Sequence, residues 1–183
     1  FLGEASGGQI PADRWDNQTF YTTTFGQAFE VTVPQVASVY QAIANGGLQM
    51  PLQLVESCTK ADGTVVDYPQ PKSEQVISES TADQVSEMLE NVTVQGGLAS
   101  AIAIPGYRIA SKTGTAEVVE NGEYIAGRYR TSLTGFAPAD DPEYVVVVTL
   151  NQPTRVTSSA ANAPAFQKAM TQVLKTFNVQ PSG

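Results

Sequence analysis

Apolar residues recur at regular spacing in several stretches of the chain, and each spacing predicts an element. In "VTVPQVASVYQAIANGG" (31–47), Val36, Val39, Tyr40 and Ile43 form a helical stripe. Thr32 and Gln35 make a capping-box pattern around Pro34, and Asn45-Gly46-Gly47 ends the helix. A second helix is predicted in "SESTADQVSEMLENVTVQGG" (78–97), with Ser80 and Asp83 as N-terminal cap and Val85, Met88, Leu89 and Val92 as its stripe. A third lies in "NAPAFQKAMTQVLKTFNV" (162–179), capped by Asn162, with Pro164 early and Phe166, Met170, Val173, Leu174 and Phe177 on one face.

Strand patterns fill the space between. "YRIASKTGTAEVV", "RYRTSLTGFAPA" and "EYVVVVTLN" read as three strands. The last is nearly continuous in β-branched residues, which predicts a central strand. The tight turn "ADDPE" implies that the last two strands are antiparallel. Asp62-Gly63 predicts a hairpin joining 52–58 to 64–68, and "YPQPKSE" a proline-broken loop. Residues 1–30 read as irregular, with "FYTTTFGQ" a short extended segment. Helices, three strands and a closing helix give an α+β class, an antiparallel sheet flanked by helices. No internal repeat or low-complexity tract is present.

Composition narrows the chemistry. The 183 residues are globular in balance, 42% hydrophobic and 15% charged, with a net charge of -8 and no basic cluster, which argues against nucleic-acid binding. Histidine is absent, which removes Ser-His-Asp and Cys-His catalysis and His-ligated metals. Any proton shuttle must then be lysine, a carboxylate, tyrosine or water, and neither a metal nor a cofactor is called for. The single cysteine, Cys58, is expected as a small core or strand residue. "GEASGG" is not a dinucleotide loop, since no strand leads into it, and Asp140-Asp141 reads as a solvated turn. No apolar run is long enough to span a membrane, and the start "FLGEASGGQIPADRW" is neither basic nor apolar enough for a signal peptide. The abrupt start at Phe1 and Leu2 reads as that of a piece of something longer.

One motif carries chemistry. "YRIASKTGTAEVV" places Lys112-Thr113-Gly114-Thr115 inside a strand. Gly114 weakens a strand and marks close approach by a ligand or another backbone. The period of two sends the Thr113 and Thr115 hydroxyls to one face. An ammonium and two hydroxyls beside an open strand edge suit an extended peptide that ends in a carboxylate, paired by strand addition.

"ASKTGTAE" resembles the Lys-Thr-Gly motif of the penicillin-binding proteins and serine β-lactamases. "FGQAFEVTVPQVASVYQAIANGG", "GRYRTSLTGFAPADDP" and "TGFAPADDPEYVVVV" extend the likeness, in order, to the C-terminal half of a class B penicillin-binding transpeptidase domain of the cell-division type, especially actinobacterial members. The resemblance implies the penicillin-binding transpeptidase fold, with residues 1–183 as the C-terminal portion of one domain. It implies a serine that attacks a D-Ala-D-Ala stem peptide, an acyl-enzyme resolved by a second stem amine, and β-lactams that acylate the same serine. On this sequence it makes Lys112 the electrostatic attractor of the substrate carboxylate and Thr113 and Thr115 its hydroxyl ligands. It makes the Thr115 N–H one oxyanion-hole donor, and Gly114 the point where the acyl chain lies close. It also implies an upstream half of the same protein, divisome membrane partners, and an extracytoplasmic site anchored through an N-terminal segment outside this chain.

Two features depart from the pattern. Ser111 stands where the family has a glycine, and is tolerated if it faces the core or a neighbouring strand. The nucleophile motif Ser-x-x-Lys and the Ser-x-Asn motif belong upstream of Phe1. No Ser-x-Asn occurs in the chain, and Ser57-Cys58-Thr59-Lys60 enters a hairpin and not a buried helix, which makes it a decoy. The chain therefore holds half of an active site and alone is expected to be inactive. Two rival readings remain: a non-catalytic penicillin-recognising sensor or scaffold, and a serine β-lactamase, against which the long 31–47 helix counts.

Overall fold

The structure is a computed structural model that describes Gly8 and residues 16–69, 72–120 and 123–182. The irregular stretch expected over 1–15, apart from Gly8, and the middle of the proline-broken loop lie outside the described residues. The elements run α1 (Asn17–Thr23), α2 (Val33–Ala44), β1 (Leu48–Gln49), β2 (Ser57–Thr59), β3 (Val65–Asp67), β4 (Glu74–Gln75), α3 (Glu79–Gln95), α4 (Ala99–Ile102), β5 (Ala110–Glu120), β6 (Glu123–Ala137), β7 (Tyr144–Asn151), a 3-10 turn (Ser159–Asn162) and α5 (Ala163–Thr176).

The expected antiparallel sheet is β5-β6-β7, and two small pairs, β1-β4 and β2-β3, stand apart from it. Its order corrects one expectation. β6 is central, and β7 is an outer strand of the described sheet. Continuous β-branched sequence in β7 instead reflects cover on both faces, from α2 on one side and α5 on the other. On the α5 side, Leu133, Phe166, Met170 and Leu174 form the main core with Ile102 and Ile109. On the α2 side, Phe136, Ala110 and Leu89 pack with Tyr40, Ile43 and Val145. Burial there pushes the Tyr40 phenol up to about 12, so it stays neutral at all ordinary pH.

Local signals decide most boundaries. The Thr32–Gln35 capping box is complete, with Thr32 N donating to Gln35 Oε1 at 2.8 Å and Gln35 N donating to Thr32 Oγ1 at 3.4 Å. In the β2-β3 hairpin, Thr64 N donates to Asp62 Oδ1 at 2.9 Å, which holds the Asp62 carboxyl below its usual range, and Gly63 turns at φ 85°.

Several local expectations are corrected. "FYTTTFGQ" is not extended: α1 forms because Asp16 caps it, accepting from Thr19 N at 2.7 Å. The cap of α3 is Ser78, whose extended backbone and hydroxyl meet Thr81 N, two residues before the expected Ser80. Val39 and Met88 are exposed, because α2 and α3 turn Ala42, Ala82, Leu89 and Thr93 inward in their place. Cys58 is on a strand, one of the two settings expected for it, and is exposed. Phe177, beyond the last turn of α5, is also largely exposed and stacks on Tyr144 at 5.0 Å between ring centroids.

α3 runs beside β5. Its buried Thr93 Oγ1 lies 2.8 Å from Ser111 Oγ, itself fully buried. Ser111 thus faces the core and is satisfied there. Thr93→Val will leave the Ser111 hydroxyl without its partner and destabilise the complete protein by about 1–2 kcal/mol. Adding Ser111→Ala will recover part of that loss in thermal melts; no recovery means the pair is not coupled.

Candidate active site

β5 pairs with β6 from Ala110↔Phe136 to Glu120↔Glu123, with a register shift after Glu117. On its other side no strand pairs with it among the described residues. Along this outer strand Lys112, Thr113, Gly114 and Thr115 face Thr134, Leu133, Ser132 and Thr131 of β6 in turn.

Lys112 is exposed, and its Nζ donates to the Thr113 carbonyl at 3.0 Å. Among the described residues it has no ion-pair partner, so its charge is unspent. Thr113 and Thr115 turn to the opposite face from Lys112. Thr113 lines a cavity of about 270 Å3 with Val92, Gly96, Gly97, Leu98, Ile102 and residues Ser158–Ala160. Thr115 is exposed, and its Oγ1 accepts from Ser159 N at 3.2 Å.

Gly114 has a specific cause. A Cβ there would lie 2.5 Å from Ser132 Oγ, so the close approach visible in the structure comes from a cross-strand side chain. Ser57, by contrast, lies exposed on β2 in the small hairpin, and Lys60 sits in its turn. The hairpin is no setting for a buried helical nucleophile. A second cavity, of about 250 Å3, is bordered by Asp83, Glu87, Glu90, Arg108 and Asp140. There Arg108 Nε and Nη2 grip Glu90 at 2.6 and 2.7 Å, and the carboxylate raises the guanidinium pKa further. None of the Lys-Thr-Gly-Thr residues lines it. No His, Cys, Asp and Glu grouping that could hold a metal occurs among the described residues.

Sequence reasoning missed the 158–162 segment. Its signal was the small-residue run "TSSAANAPA", of which the sequence pattern assigns only Asn162 onward, to a helix. Asn162 stands at the cap position of α5, but its side chain makes no capping bond. It donates instead to Thr131 O at 3.3 Å and Val148 O at 3.0 Å.

Comparison with known proteins gives the family and the fold. The penicillin binding protein transpeptidase domain family matches residues 1–171. The chain is 35% identical to penicillin-binding protein PbpB of Mycolicibacterium smegmatis, over 97% of this chain and 29% of that protein. It is 38% identical to peptidoglycan D,D-transpeptidase FtsI of Escherichia coli, over 98% of this chain and 29% of that protein. Among solved structures, penicillin-binding protein 3 of Mycobacterium tuberculosis complexed with aztreonam superposes with TM-score 0.88 at 32% identity, covering 100% of this chain and 43% of that one. A peptidoglycan synthetase of Bifidobacterium adolescentis gives 0.86 at 29% identity, covering 97% and 32%. The chain thus spans less than a third of the length of these sequence relatives. With its strand order, its outer Lys-Thr-Gly strand and this match along nearly its whole length, the chain belongs to the transpeptidase domain family of the penicillin-binding proteins, in its class B branch.

Proposed function

We propose that this chain is the C-terminal portion of a peptidoglycan D,D-transpeptidase domain that cross-links D-Ala-D-Ala stem peptides through a serine acyl-enzyme and is acylated by β-lactams. The observation that carries the reading is the set Lys112-Thr113-Gly114-Thr115 on an outer antiparallel strand, with two hydroxyls and an ammonium that has no ion-pair partner among the described residues, beside an edge that none of them pairs. Alternate residues of such a strand turn their backbone groups outward. The Thr113 carbonyl, bonded by Lys112 Nζ, belongs to that outward set, and the period of two gives the Thr115 N–H the same direction. An outward N–H can stabilise an oxyanion, while Lys112, Thr113 and Thr115 hold the terminal carboxylate of the stem.

The nucleophilic serine and its lysine belong to the upstream half of the same domain. The domain works on the extracytoplasmic face of the membrane, anchored by an N-terminal segment, with divisome membrane proteins as partners. The relatives named as a penicillin-binding protein and a peptidoglycan D,D-transpeptidase support work on peptidoglycan. No described helix is long and apolar enough to cross a membrane.

The test uses the complete protein with a D-Ala-D-Ala pentapeptide and an amine acceptor. D-Ala release with formation of the cross-linked product, both blocked by penicillin, is the expected result. Penicillin binding without D-Ala release or cross-linking would replace this reading with a sensor or scaffold. Rapid release of hydrolysed penicillin would make the protein a β-lactamase.

A further inference from the structure

Asn162 is fully buried, yet only part of its amide is used. Its Nδ2 bonds the Thr131 and Val148 carbonyls, of β6 and β7, while its Oδ1 and the buried Thr131 Oγ1 have no partner among the described residues. A half-used amide is an expensive core residue. What its two bonds achieve is to fasten the end of the 3-10 turn Ser159–Asn162 to the backbone of the sheet. The start of that turn is where Ser159 N donates to Thr115 Oγ1 at 3.2 Å.

A threonine hydroxyl carries one proton and two acceptor lone pairs, whereas a carboxylate only accepts. With Ser159 N–H bonded to its oxygen, the Thr115 hydroxyl has its proton left to give, and Thr115 is exposed at the open strand. We propose that the Ser159 N–H, held in place by Asn162, is a positioning group that occupies one lone pair of the Thr115 hydroxyl, turns its proton outward and so favours acceptor-only, anionic end groups. The proposal rests on the reading of Thr115 as a carboxylate ligand. Ser159 itself touches no reacting atom.

Ser159→Pro tests it by deleting that N–H, with Ser159→Ala, which loses the same hydroxyl but keeps the N–H, as the reference. Ser158 has φ -101° and ψ 172°, the extended conformation a residue before proline requires. Ser159 is the first residue of a helical turn, where proline is tolerated. In the complete protein, pre-covalent affinity for penicillin, which bears a carboxylate, is measured separately from the limiting acylation rate. Ser159→Pro is expected to weaken affinity about 10-fold and to change the limiting rate by no more than about 2-fold. Thr115→Val is expected to weaken affinity at least as much, and Ser159→Pro added to Thr115→Val to do nothing further.

A full additional loss in the Thr115→Val background overturns the proposal, because Ser159 then acts without the hydroxyl. Ser159→Pro with unchanged affinity, beside a weakened Thr115→Val, also overturns it but leaves the site reading standing. Unchanged affinity in Thr115→Val alone sinks the site reading together with the proposal. If Ser159→Pro does not fold, Asn162→Leu, similar in size but without donors, must show the same loss and the same masking by Thr115→Val.

Discussion

Lys112→Ala in the complete protein will lower the efficiency of labelling by fluorescent penicillin about 100-fold and leave Tm within about 2 °C. Both halves follow from the surroundings of the side chain. Lys112 is exposed, has no ion-pair partner among the described residues, and gives its one visible hydrogen bond to the carbonyl of its own neighbour. Removing such a group strands no buried partner, so the fold loses little. Binding is different. Hydrogen bonds to charged groups are worth about 1.5–3 kcal/mol, and each 1.36 kcal/mol is a factor of ten in rate. On the proposed function, the ammonium would meet the penicillin carboxylate in a site closed by the upstream half of the domain, where solvent screening is weaker. Lys112→Arg keeps the charge but not the compact point donor, and should fall between wild type and alanine. Undiminished labelling of Lys112→Ala would reject the assignment of this strand to the site. A large fall in Tm would instead show that Lys112 supports the fold.

How much of this was legible beforehand depended on how far each signal reaches along the chain. The α2 capping box and the Asp62-Gly63 turn are settled within a few residues, and both appear where the sequence puts them. The α1 cap needs only Asp16 and Thr19 as well, but the aromatic and threonine residues after it have strand propensity, and the cap prevailed. Met88 and Val39 show the limit of periodicity. An apolar stripe gives the face of a helix to within a residue or two, and small residues such as Ala42 and Ala82 took the buried line because they allow closer approach to the sheet. The Lys-Thr-Gly-Thr motif was legible because its four residues are contiguous. Ser159 lies 44 positions beyond Thr115, and Thr93 18 positions before Ser111, so neither contact has a local signature.

Gly135 is the position where stability and the site meet, and Gly135→Ala will be the most damaging small substitution in the sheet. It lies within "TGFAP" on β6, opposite Ser111. A Cβ there would sit 2.5 Å from the Ala110 carbonyl oxygen, 2.7 Å from Ser111 Cβ and 3.0 Å from Phe166 Cζ. The first two obstacles are a backbone atom and the first side-chain atom of the neighbouring strand, and neither can rotate away. Phe166 is fully buried under α5, so the third can yield only by moving the helix. The methyl group therefore wedges β5 from β6 at the residue before Lys112, with an overpacking cost of about 3 kcal/mol. For a domain of this size that lowers Tm by roughly 6–12 °C, and penicillin labelling falls with it as the Lys-Thr-Gly strand loses its register. Gly114→Ala makes the opposite case on the same pair of strands. Its Cβ would meet Ser132 Oγ at 2.5 Å but Ser132 Cβ only at 3.8 Å, so one rotation of the serine relieves it. Its cost should stay below about 1 kcal/mol and vanish in Ser132→Ala, whereas Phe166→Leu cannot rescue Gly135→Ala while the Ala110 carbonyl remains in the way. Thermal melts of the two alanine variants separate the cases: a Tm for Gly135→Ala within about 2 °C of wild type would mean that β5 and β6 can part at this point without loss, and that the strand pairing does not hold Lys112 in place.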